Sequence, residues 1–350
     1  RLSVSIEAVS VVEKDLADGA AGSHATALLA VLGVLSEHFP DARFPVVGHR
    51  IVHGGPDRAG SAVLDKAALE ELKGYAPLAP LHQPHNLAGV ALAAEVFPEA
   101  VQIGCFDTSF HRGHPWVNDV FAIPRKYYEK GIRRYGFHGL SYDYVAGRLK
   151  EVAPDLHDGR VIVAHLGNGA SMCGLVQGRS VASTMGFSAL DGLPMGTRCG
   201  QLDPGVVLYL LRQEGLSADE LAEMLYRQSG LLGLSGISHD MRTLEASGAS
   251  EAVEALEYYV FRARRELGGL ASALAGLDAV VFTGGVGENS ASMRQRICEG
   301  MSWIGIDLDL DANAGDELII SGAASRVKVL VIPTNEELVV ARAAMDHLTG

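Results

Sequence analysis

The stretch Ala279-Val-Val-Phe-Thr-Gly-Gly-Val-Gly-Glu-Asn-Ser290 predicts a buried strand, a glycine turn and the start of a helix. The same strand and glycine turn occur earlier, in Val161-Ile-Val-Ala-His-Leu-Gly-Asn-Gly-Ala-Ser171. Neither copy is a P-loop or a GxGxxG motif. Glycine turns at strand ends let backbone N–H groups approach phosphates closely. The pair therefore predicts an α/β fold with a phosphate and nucleoside cleft, and an internal duplication.

Two further strands are predicted in the first third of the chain, over 46–52 and 101–106. Arg50 lies near the carboxyl end of the first, and Asp107 follows the second. Ligands bind at the carboxyl ends of strands in open α/β sheets, and a buried arginine is costly unless it is paired. We therefore expect Arg50 to point into a cleft rather than into solvent. Asp107 is either a metal ligand or general base, or the side chain of an Asx turn.

The segment Ser183–Gly205 fits neither a helix nor a strand, because several glycines and Pro194 interrupt it. It nevertheless carries several large apolar residues. Long ordered loops with their own apolar contacts are uncommon and are usually functional. Its one cation, Arg198, is flanked by small residues. We expect this segment to form an anion-binding wall; the alternative is a surface loop whose arginine pairs with a carboxylate.

Cap signals predict several helices and one candidate metal ligand. Asp65, Asp203 and Ser217 each precede a helical pattern, and a long helix is expected over 251–275. Near the end of the chain, Thr334 and Glu337 have the spacing of a capping box. Glu336 is then left without a structural role, so we expect it to bind Mg²⁺, through water.

Composition restricts the possible class of protein. A chain of 350 residues favours two domains, and a net charge of -13 argues against nucleic acid or an anionic membrane as partner. No apolar run is long enough to span a membrane, and the first residues do not resemble a signal peptide. The four cysteines have no metal-binding spacing, which predicts reduced thiols in a cytoplasmic protein.

Eight motifs in this order resemble the acetate kinase family, of the superfamily that also contains sugar kinases, heat-shock chaperones and actin. The resemblance runs from about Val46 to the C-terminus. The motifs are Gly48-His-Arg-Ile-Val-His-Gly-Gly55, Ala79-Pro-Leu-His82, Phe106-Asp-Thr-Ser-Phe-His111, Arg133-Arg-Tyr-Gly-Phe-His-Gly-Leu-Ser-Tyr142, His165-Leu-Gly-Asn-Gly-Ala-Ser171, Met195-Gly-Thr-Arg-Cys-Gly200, Gly284-Gly-Val-Gly-Glu-Asn-Ser290 and Pro333-Thr-Asn-Glu-Glu-Leu338.

This resemblance implies an α/β protein with two related ribonuclease H-like (actin-like ATPase) domains, each of βββαβαβα design, around a central cleft. It implies an N-terminal acceptor-side domain over 1–110, joined by a C-terminal helix over 338–350, and a nucleotide-binding domain over 111–337. It also implies a homodimer that transfers phosphate reversibly and in line between ATP and acetate, with Mg²⁺ or Mn²⁺ as cofactor.

The resemblance also implies roles for individual residues. Asp107, His138, Arg198 and Arg50 would be catalytic, although a lone histidine among aromatic residues is more often structural. The acetate site would consist of Arg50, Val52, Leu81, His82, Phe137 and Ala189. The nucleotide site would consist of His165, Asn168, Gly169, Asp240, Met241, Arg242, Gly285, Val286, Gly287 and Asn289. Glu336 would serve the metal.

Two positions depart from the family pattern. The family opens with a strand and an Asn-x-Gly-Ser-Ser-Ser-x-Lys loop that grips phosphate, and no such motif occurs in these 350 residues. We therefore expect the first sheet to lack a member; the sequence is a fragment or the protein is impaired. The family often has proline where Ala189 stands. An alanine there would widen the acetate pocket, although one methylene changes discrimination by only about 1–3 kcal/mol.

Three alternatives to an acetate kinase therefore stay open. A propionate or butyrate kinase of the same fold is favoured only by Ala189. A catalytically impaired nucleotide-binding relative is favoured by the missing loop and opposed by the presence of Arg50, Asp107, His138 and Arg198. A sugar kinase fits less well, because a hydroxyl acceptor does not require paired arginines.

Overall fold

The chain is mixed α/β, as the sequence predicts. The computed structural model describes residues 2–6, 9–14, 24–41, 43–80 and 82–349. The strands in these ranges are β1 (Leu2–Ile6), β2 (Val9–Lys14), β3 (Val46–Ile51), β4 (Ala62–Val63), β5 (Val101–Phe106), β6 (Arg160–Leu166), β7 (Ala170–Val176), β8 (Arg179–Ser183), β9 (Ala279–Thr283) and β10 (Lys328–Val331).

The α-helices of the same ranges vary in length from four residues to 24. They are α1 (His24–His38), α2 (Lys66–Lys73), α3 (Gln83–Val96), α4 (Trp116–Asp119), α5 (Lys126–Glu129), α6 (Gly139–Val152), α7 (Pro154–His157), α8 (Pro204–Arg212), α9 (Ala218–Arg227), α10 (Gly230–Ser235), α11 (Met241–Glu245), α12 (Ser250–Ala273), α13 (Gly284–Asn289), α14 (Ala291–Cys298), α15 (Leu310–Ala314) and α16 (Glu336–Thr349).

Two sheets carry the predicted ligand-binding strands. One sheet has the order β3-β5-β4, with β3 parallel to β5, so β3 is an edge strand in the described part of the chain. The other has the order β10-β9-β6-β7-β8, in which β10, β9 and β6 are parallel and β7 and β8 are antiparallel. Strands β1 and β2 form a separate antiparallel hairpin. Because β6 and β9 are parallel neighbours, their two glycine turns lie at the same edge of the sheet.

Apolar packing on both faces of β6 explains why its sequence is a continuous apolar run. Ile162 and Ala164 belong to the same buried cluster as Leu267 of α12, whereas Val163 belongs to the cluster that contains Val145 of α6. The sheet is therefore enclosed between helices, and only its strand ends are open to a ligand.

The C-terminal helix α16 packs against β3. Gly48 allows this contact, because a Cβ atom at that position would lie 2.5 Å from Cγ1 of Val340. The packing places the first residue of α16, Glu336, beside the carboxyl end of β3. No helix among the described residues is long and apolar enough to cross a membrane.

The predicted elements are mostly confirmed, with differences at turns. Asp65, Asp203 and Ser217 cap α2, α8 and α9 as expected. The predicted strand over 318–320 is wrong, since only isolated bridges occur there. The hairpin of β7 and β8 was not predicted. Its two turn residues, Gln177 and Gly178, both have positive φ, and glutamine is not a usual signal for that conformation.

Candidate active site

Three of the four predicted catalytic residues, Arg50, His138 and Arg198, line a cavity of about 420 Å³. Asp107 is not on its wall but contacts Arg50. The cavity lies at the carboxyl ends of β3, β6 and β9, where the sheet topology places the glycine turns. The predicted residues on its wall are Arg50, His138, His165, Asn168, Gly169, Arg198, Gly285 and Glu336.

Arg50 joins two carboxylates at the mouth of this cavity. Its Nε and Nη2 donate to Oδ1 and Oδ2 of Asp107 at 3.0 and 2.8 Å, and its Nη1 lies 2.5 Å from Oε2 of Glu336. Burial opposes the charge of Arg50, but the two carboxylates outweigh it and raise its pKa. A guanidinium has five N–H groups, so these contacts leave two for a ligand. The side chain lies on the cavity wall, although 46% of it is exposed.

Arg198 is a largely buried cation without a carboxylate partner among the described residues. Its Nη1 donates to the carbonyl oxygen of Ala189 at 3.0 Å. Burial lowers its pKa. A buried cation is costly unless something compensates it. The alternative in which this arginine pairs with a carboxylate is therefore wrong. The segment Ser183–Gly205 instead supplies a positive charge that a bound anion can neutralise.

The side chains of Arg198 and His138 both lie close to the backbone of Gly169. A Cβ atom on Gly169 would lie 2.7 Å from Nη2 of Arg198 and 3.2 Å from Nε2 of His138. A side chain at this position would have to displace Arg198 and His138. The N–H of Gly139 donates to the carbonyl oxygen of Asp107 at 2.8 Å, which fixes the end of β5 against the start of α6.

His138 and His165 form a stacked pair of neutral rings. Their centroids are 4.2 Å apart, Nδ1 of His138 lies 2.8 Å from Oγ of Ser171, and Nδ1 of His165 lies 2.8 Å from Oγ of Ser141. Burial lowers the pKa of His138 well below its usual value and that of His165 to about 4. The backbone of His138 has a positive φ of 58°. Such strain in a non-glycine residue concentrates at functional sites.

The predicted acetate site is only partly described. Val52, Phe137 and Ala189 belong to one buried apolar cluster. His82 stands before α3, and its pKa is lowered first by desolvation and then by the charge of Arg198. Leu81 lies outside the described residues. The described side chains are therefore those expected of an apolar recess beside two arginines.

A second cavity, of about 800 Å³, adjoins the first and shares Gly167, Asn168 and Gly285 with it. Its wall also contains the predicted nucleotide-site residues Asp240, Met241, Arg242, Val286 and Asn289.

One exposed arginine stands at the edge of this second cavity. Arg242 is 88% exposed and pairs with Asp240 at 2.6 Å. Gly287 is not on the wall; its carbonyl oxygen accepts from the buried Arg294. The cavity is large enough for a nucleoside, since small-molecule sites have about 300–1,000 Å³.

Glu288 is a wall residue that sequence reasoning missed. Its Oε1 accepts from the N–H groups of Gly284 and Thr334, at 2.7 and 3.0 Å. It therefore ties the glycine turn after β9 to the segment that precedes α16. Its position in the Gly284–Ser290 motif was the available signal, because an acidic residue one helical turn after a glycine turn faces back toward it.

The predicted capping box at Thr334 is wrong. Oδ1 of Asn335 accepts from the N–H of Leu338 at 2.9 Å, so Asn335 caps α16. The N–H of Thr334 is engaged by Glu288 instead. The helix therefore begins one residue later than the box requires, and Glu336 becomes its first residue.

Carboxylates on the cavity wall suit a hard cation. No group of three or more His, Cys, Asp or Glu side chains arranged for a metal occurs in the described ranges. Mg²⁺, however, binds through one or two carboxylates, keeps several waters and shares phosphate oxygens with its ligand. Glu336 and Glu288 both line the smaller cavity. This donor set fits Mg²⁺ in that mode.

Comparisons with known proteins show which family the chain is similar to. The sequence model of the acetokinase family matches residues 3–342. The acetate kinase of Methylocella silvestris is 58% identical over 330 residues, which are 93% of this chain and 82% of that protein. An acetate kinase of Rhodopseudomonas palustris (strain TIE-1) is 53% identical over 323 residues, or 91% of this chain and 81% of that protein.

Solved structures show the same likeness. The crystal structure of Porphyromonas gingivalis acetate kinase aligns with a TM-score of 0.85 at 38% identity, over 93% of this chain and 85% of that one. The crystal structure of a propionate kinase from Francisella tularensis aligns with a TM-score of 0.88 at 37% identity, over the same shares of the two chains.

Proposed function

The chain belongs to the acetokinase family, and from this premise we propose that it phosphorylates acetate with ATP to give acetyl phosphate and ADP, reversibly. An oxygen of the acetate carboxylate attacks the γ-phosphorus in line. The bond from that phosphorus to the bridging oxygen breaks, and its electron pair stays with ADP. Because the acceptor is already an anion, no strong base and no covalent enzyme intermediate are needed.

One observation carries this proposal: two arginines and a histidine face one cavity that adjoins a nucleoside-sized one. The chemical difficulty is repulsion between an anionic acceptor and an anionic phosphate. Arg50 has two N–H groups left for the carboxylate, and Arg198 is a buried charge beside Gly169. Fixed cations of this kind stabilise the charge that spreads over the phosphoryl oxygens in the transition state.

Two residues are proposed to act beside the arginines. Asp107 orients Arg50 through its two hydrogen bonds, and His138 presents Nε2 to the transferred group. Glu336, with Glu288 nearby, would hold Mg²⁺ through water. When bound, that ion supplies neutralising charge at the phosphates.

We propose that Val52, Phe137 and Ala189, with His82 and Leu81, receive the acetate methyl group. The buried cluster that contains the first three supports an apolar recess. The solved propionate kinase is no more similar in sequence than the acetate kinase, so it does not favour propionate. A series of acetate, propionate and butyrate, compared by kcat/KM, tests this preference; a higher value for propionate would contradict it.

The nucleoside is proposed to occupy the larger cavity, against Asp240, Met241, Arg242, Val286 and Asn289. The two glycine turns, at Asn168–Gly169 and Gly285–Gly287, and His165 would then face the phosphates. The continuity of the two cavities through Gly167, Asn168 and Gly285 supports this direction of the nucleotide. Loss of ATP binding in Val286→Glu, measured by calorimetry, would support the placement, and unchanged affinity would contradict it.

The decisive experiment is a hydroxylamine trap for acyl phosphate in the presence of ATP, Mg²⁺ and acetate. We expect acetyl hydroxamate from the wild type. Arg198→Ala should lose about 10³-fold or more in kcat, since an arginine at a phosphoryl-transfer site contributes about 10³–10⁵. Arg148→Ala is the matched control, because Arg148 is exposed and pairs with Glu151 on the same helix. Equal activity of the two variants would remove Arg198 from the site.

A homodimer is proposed from an exposed apolar surface on α8 and α12. Tyr209 is 56% and Phe261 is 60% exposed. Nη2 of Arg262, in α12, donates at 3.0 Å to Oε1 of Gln201, which lies three residues before α8. We expect a dimer in sedimentation equilibrium and dissociation in Phe261→Glu. Trp303→Glu, at an equally exposed aromatic residue elsewhere, should remain dimeric. A monomeric wild type would contradict the proposal.

The domain division at residues 110 and 111 is also a proposal, supported by the packing of α16 on β3. Two calorimetric transitions would support it, and truncation of α16 should lower the one that belongs to β3. A cytoplasmic location is proposed from the four cysteines, which are all free. Fractionation of the source cells tests that location.

A further inference from the structure

Behind His138, two buried hydroxyl groups form a chain that ends on its ring. The hydroxyl of Tyr142 lies 2.5 Å from Oγ of Ser171, and that Oγ lies 2.8 Å from Nδ1 of His138. Tyr142 and Ser171 are both completely buried. His138 precedes α6 and Tyr142 follows one turn later, so both side chains reach the same point of β7.

The number of hydrogens in this chain decides the direction of each hydrogen bond. Ser171 has one hydroxyl hydrogen for two neighbours. If Tyr142 donates to Ser171, Ser171 donates to Nδ1 of His138, both hydroxyl hydrogens have an acceptor, and the Nε2–H of His138 faces the cavity. In the opposite direction His138 donates, Ser171 donates to Tyr142, and the tyrosine hydrogen has no acceptor among the described residues.

A buried hydrogen without an acceptor costs about 1–3 kcal/mol, so the first direction is favoured. It leaves Nδ1 of His138 without a proton and places the ring proton on Nε2. A charged His138 would have a proton on both nitrogens, so Ser171 would accept twice and its own hydrogen would be unpaired. The stacked ring of His165, at 4.2 Å, and the nearby Arg198 add no stabilisation for such a charge.

We propose that Ser171, which accepts from Tyr142, is a positioning residue that holds His138 as the neutral Nε2–H tautomer, with that N–H directed toward the transferred phosphoryl group. The part that concerns the phosphoryl group rests on the proposed function. Nε2 points toward the backbone of Gly169 and the guanidinium of Arg198, since a Cβ atom on Gly169 would lie 3.2 Å from Nε2. His138 thus donates a hydrogen bond without taking up or releasing a proton.

The tautomer can be read directly from ¹⁵N chemical shifts of the histidine rings in uniformly labelled protein. The His138 signals are assigned by their loss in His138→Gln. We expect the wild type to show a protonated Nε2 and an unprotonated Nδ1. A protonated Nδ1, alone or together with a protonated Nε2, would overturn the proposal. This spectrum does not depend on activity. It can therefore show that the proposed hydrogen-bond directions are wrong even if the proposed function is correct, and the reverse.

Two variants test the hydroxyl chain. Ser171→Ala removes the hydroxyl hydrogen donated to Nδ1 of His138 and should show a mixture of tautomers. Tyr142→Phe leaves the Ser171 hydrogen with Nδ1 of His138 as its acceptor and should keep the Nε2–H tautomer. Ser171→Thr restores a hydroxyl and should recover the wild-type spectrum. Ser141→Ala is the matched control, because its hydroxyl contacts His165 and not His138. A pure Nε2–H tautomer in Ser171→Ala, or a mixture of tautomers in Tyr142→Phe, would contradict the proposal.

The kinetic consequence is a selective loss in kcat. A disordered tautomer removes a donor that acts in the transition state, so Ser171→Ala should lower kcat by about 10-fold while KM for ATP and acetate stays within about twofold. Ser171→Thr should recover most of that loss. A rise in KM with unchanged kcat would assign Ser171 to ground-state binding and overturn the positioning role.

Discussion

At the scale of single residues, the pairing of Arg50 with Asp107 decides which of its N–H groups remain for a substrate. The aspartate is buried and engages the arginine through both carboxylate oxygens. We predict that Asp107→Asn lowers kcat/KM by about 10² or more, because the amide nitrogen faces an N–H donor and the guanidinium rotates out of position. Steady-state kinetics with acetate and ATP measure this loss.

A second arginine pair in the same chain provides the control. Arg160 donates through Nε and Nη2 to Asp278 at 2.9 and 2.8 Å, with the geometry of the Arg50 pair but at the amino ends of β6 and β9. Asp278→Asn should leave kcat/KM within about twofold, since its pair lies at the other end of the sheet. If both variants lose activity equally, the effect is one of folding and not of substrate orientation.

At the scale of elements, the contact between β5 and α6 holds the two halves of the site together. A Cβ atom on Gly139 would lie 2.2 Å from the carbonyl oxygen of Asp107. We predict that Gly139→Ala separates the two elements, lowers the free energy of unfolding by about 1–3 kcal/mol and lowers kcat by about 10²-fold. Chemical denaturation and kinetics measure the two effects.

The same helix offers a matched glycine. A Cβ atom on Gly147 of α6 would meet no other atom within 4 Å, so an alanine fits there without strain. Gly147→Ala should therefore raise the free energy of unfolding by about 0.5–1 kcal/mol and leave kcat unchanged. If Gly139→Ala were as stable and active as Gly147→Ala, the close approach of β5 and α6 would not matter to the site.

Sequence reasoning found the elements and failed at contacts between them. The apolar runs of β6 and β9 and the caps at Asp65 and Ser217 are local signals, so they predicted structure correctly. The partner of Thr334 is Glu288, which is distant in sequence, and a local capping rule could not anticipate it.

In the candidate site, too, local signals were predicted and contacts between distant residues were not. Arg50 and Arg198 could be singled out because a charge at a strand end or in an apolar loop is unusual. The contact of Arg50 with Glu336 depends on how α16 packs on β3, which no local pattern contains. Ser171 and Tyr142 were not predicted as site residues for a related reason. The role of a buried hydroxyl group depends on its hydrogen-bond partners, which the local sequence does not show.

At the scale of the whole molecule, several histidines are buried as neutral rings. Burial lowers the pKa of His111 to about 4 and that of His114 to about 2. Burial, and then the charge of Arg112, lowers the pKa of His53 to about 3. His165, in the site, has a pKa of about 4. Unfolded histidine has a pKa near 6.5, so the unfolded chain takes up these protons first as the pH falls.

The lower pKa of these histidines in the folded chain determines how stability changes with pH. Between about pH 6.5 and pH 4 the unfolded state binds more protons, so the free energy of unfolding falls with the pH, by up to about 1.4 kcal/mol per pH unit for each histidine. Above pH 6.5 the histidine contribution is constant. Carboxylates contribute mostly below pH 5, where Asp and Glu begin to titrate, so the window from pH 6.5 to 5 isolates the histidines.

Urea denaturation at pH 7.5, 6.5, 5.75 and 5 measures this dependence. His114→Gln keeps a polar side chain near Oγ of Ser180, which lies 2.7 Å from Nε2 of His114, and removes one buried titrating ring. As the pH falls, its free energy of unfolding should decrease less steeply than that of the wild type. The two slopes should differ by about 1.4 kcal/mol per pH unit, which corresponds to one proton. A wild-type stability that stays level from pH 6.5 to 5 would mean that these rings take up protons without unfolding.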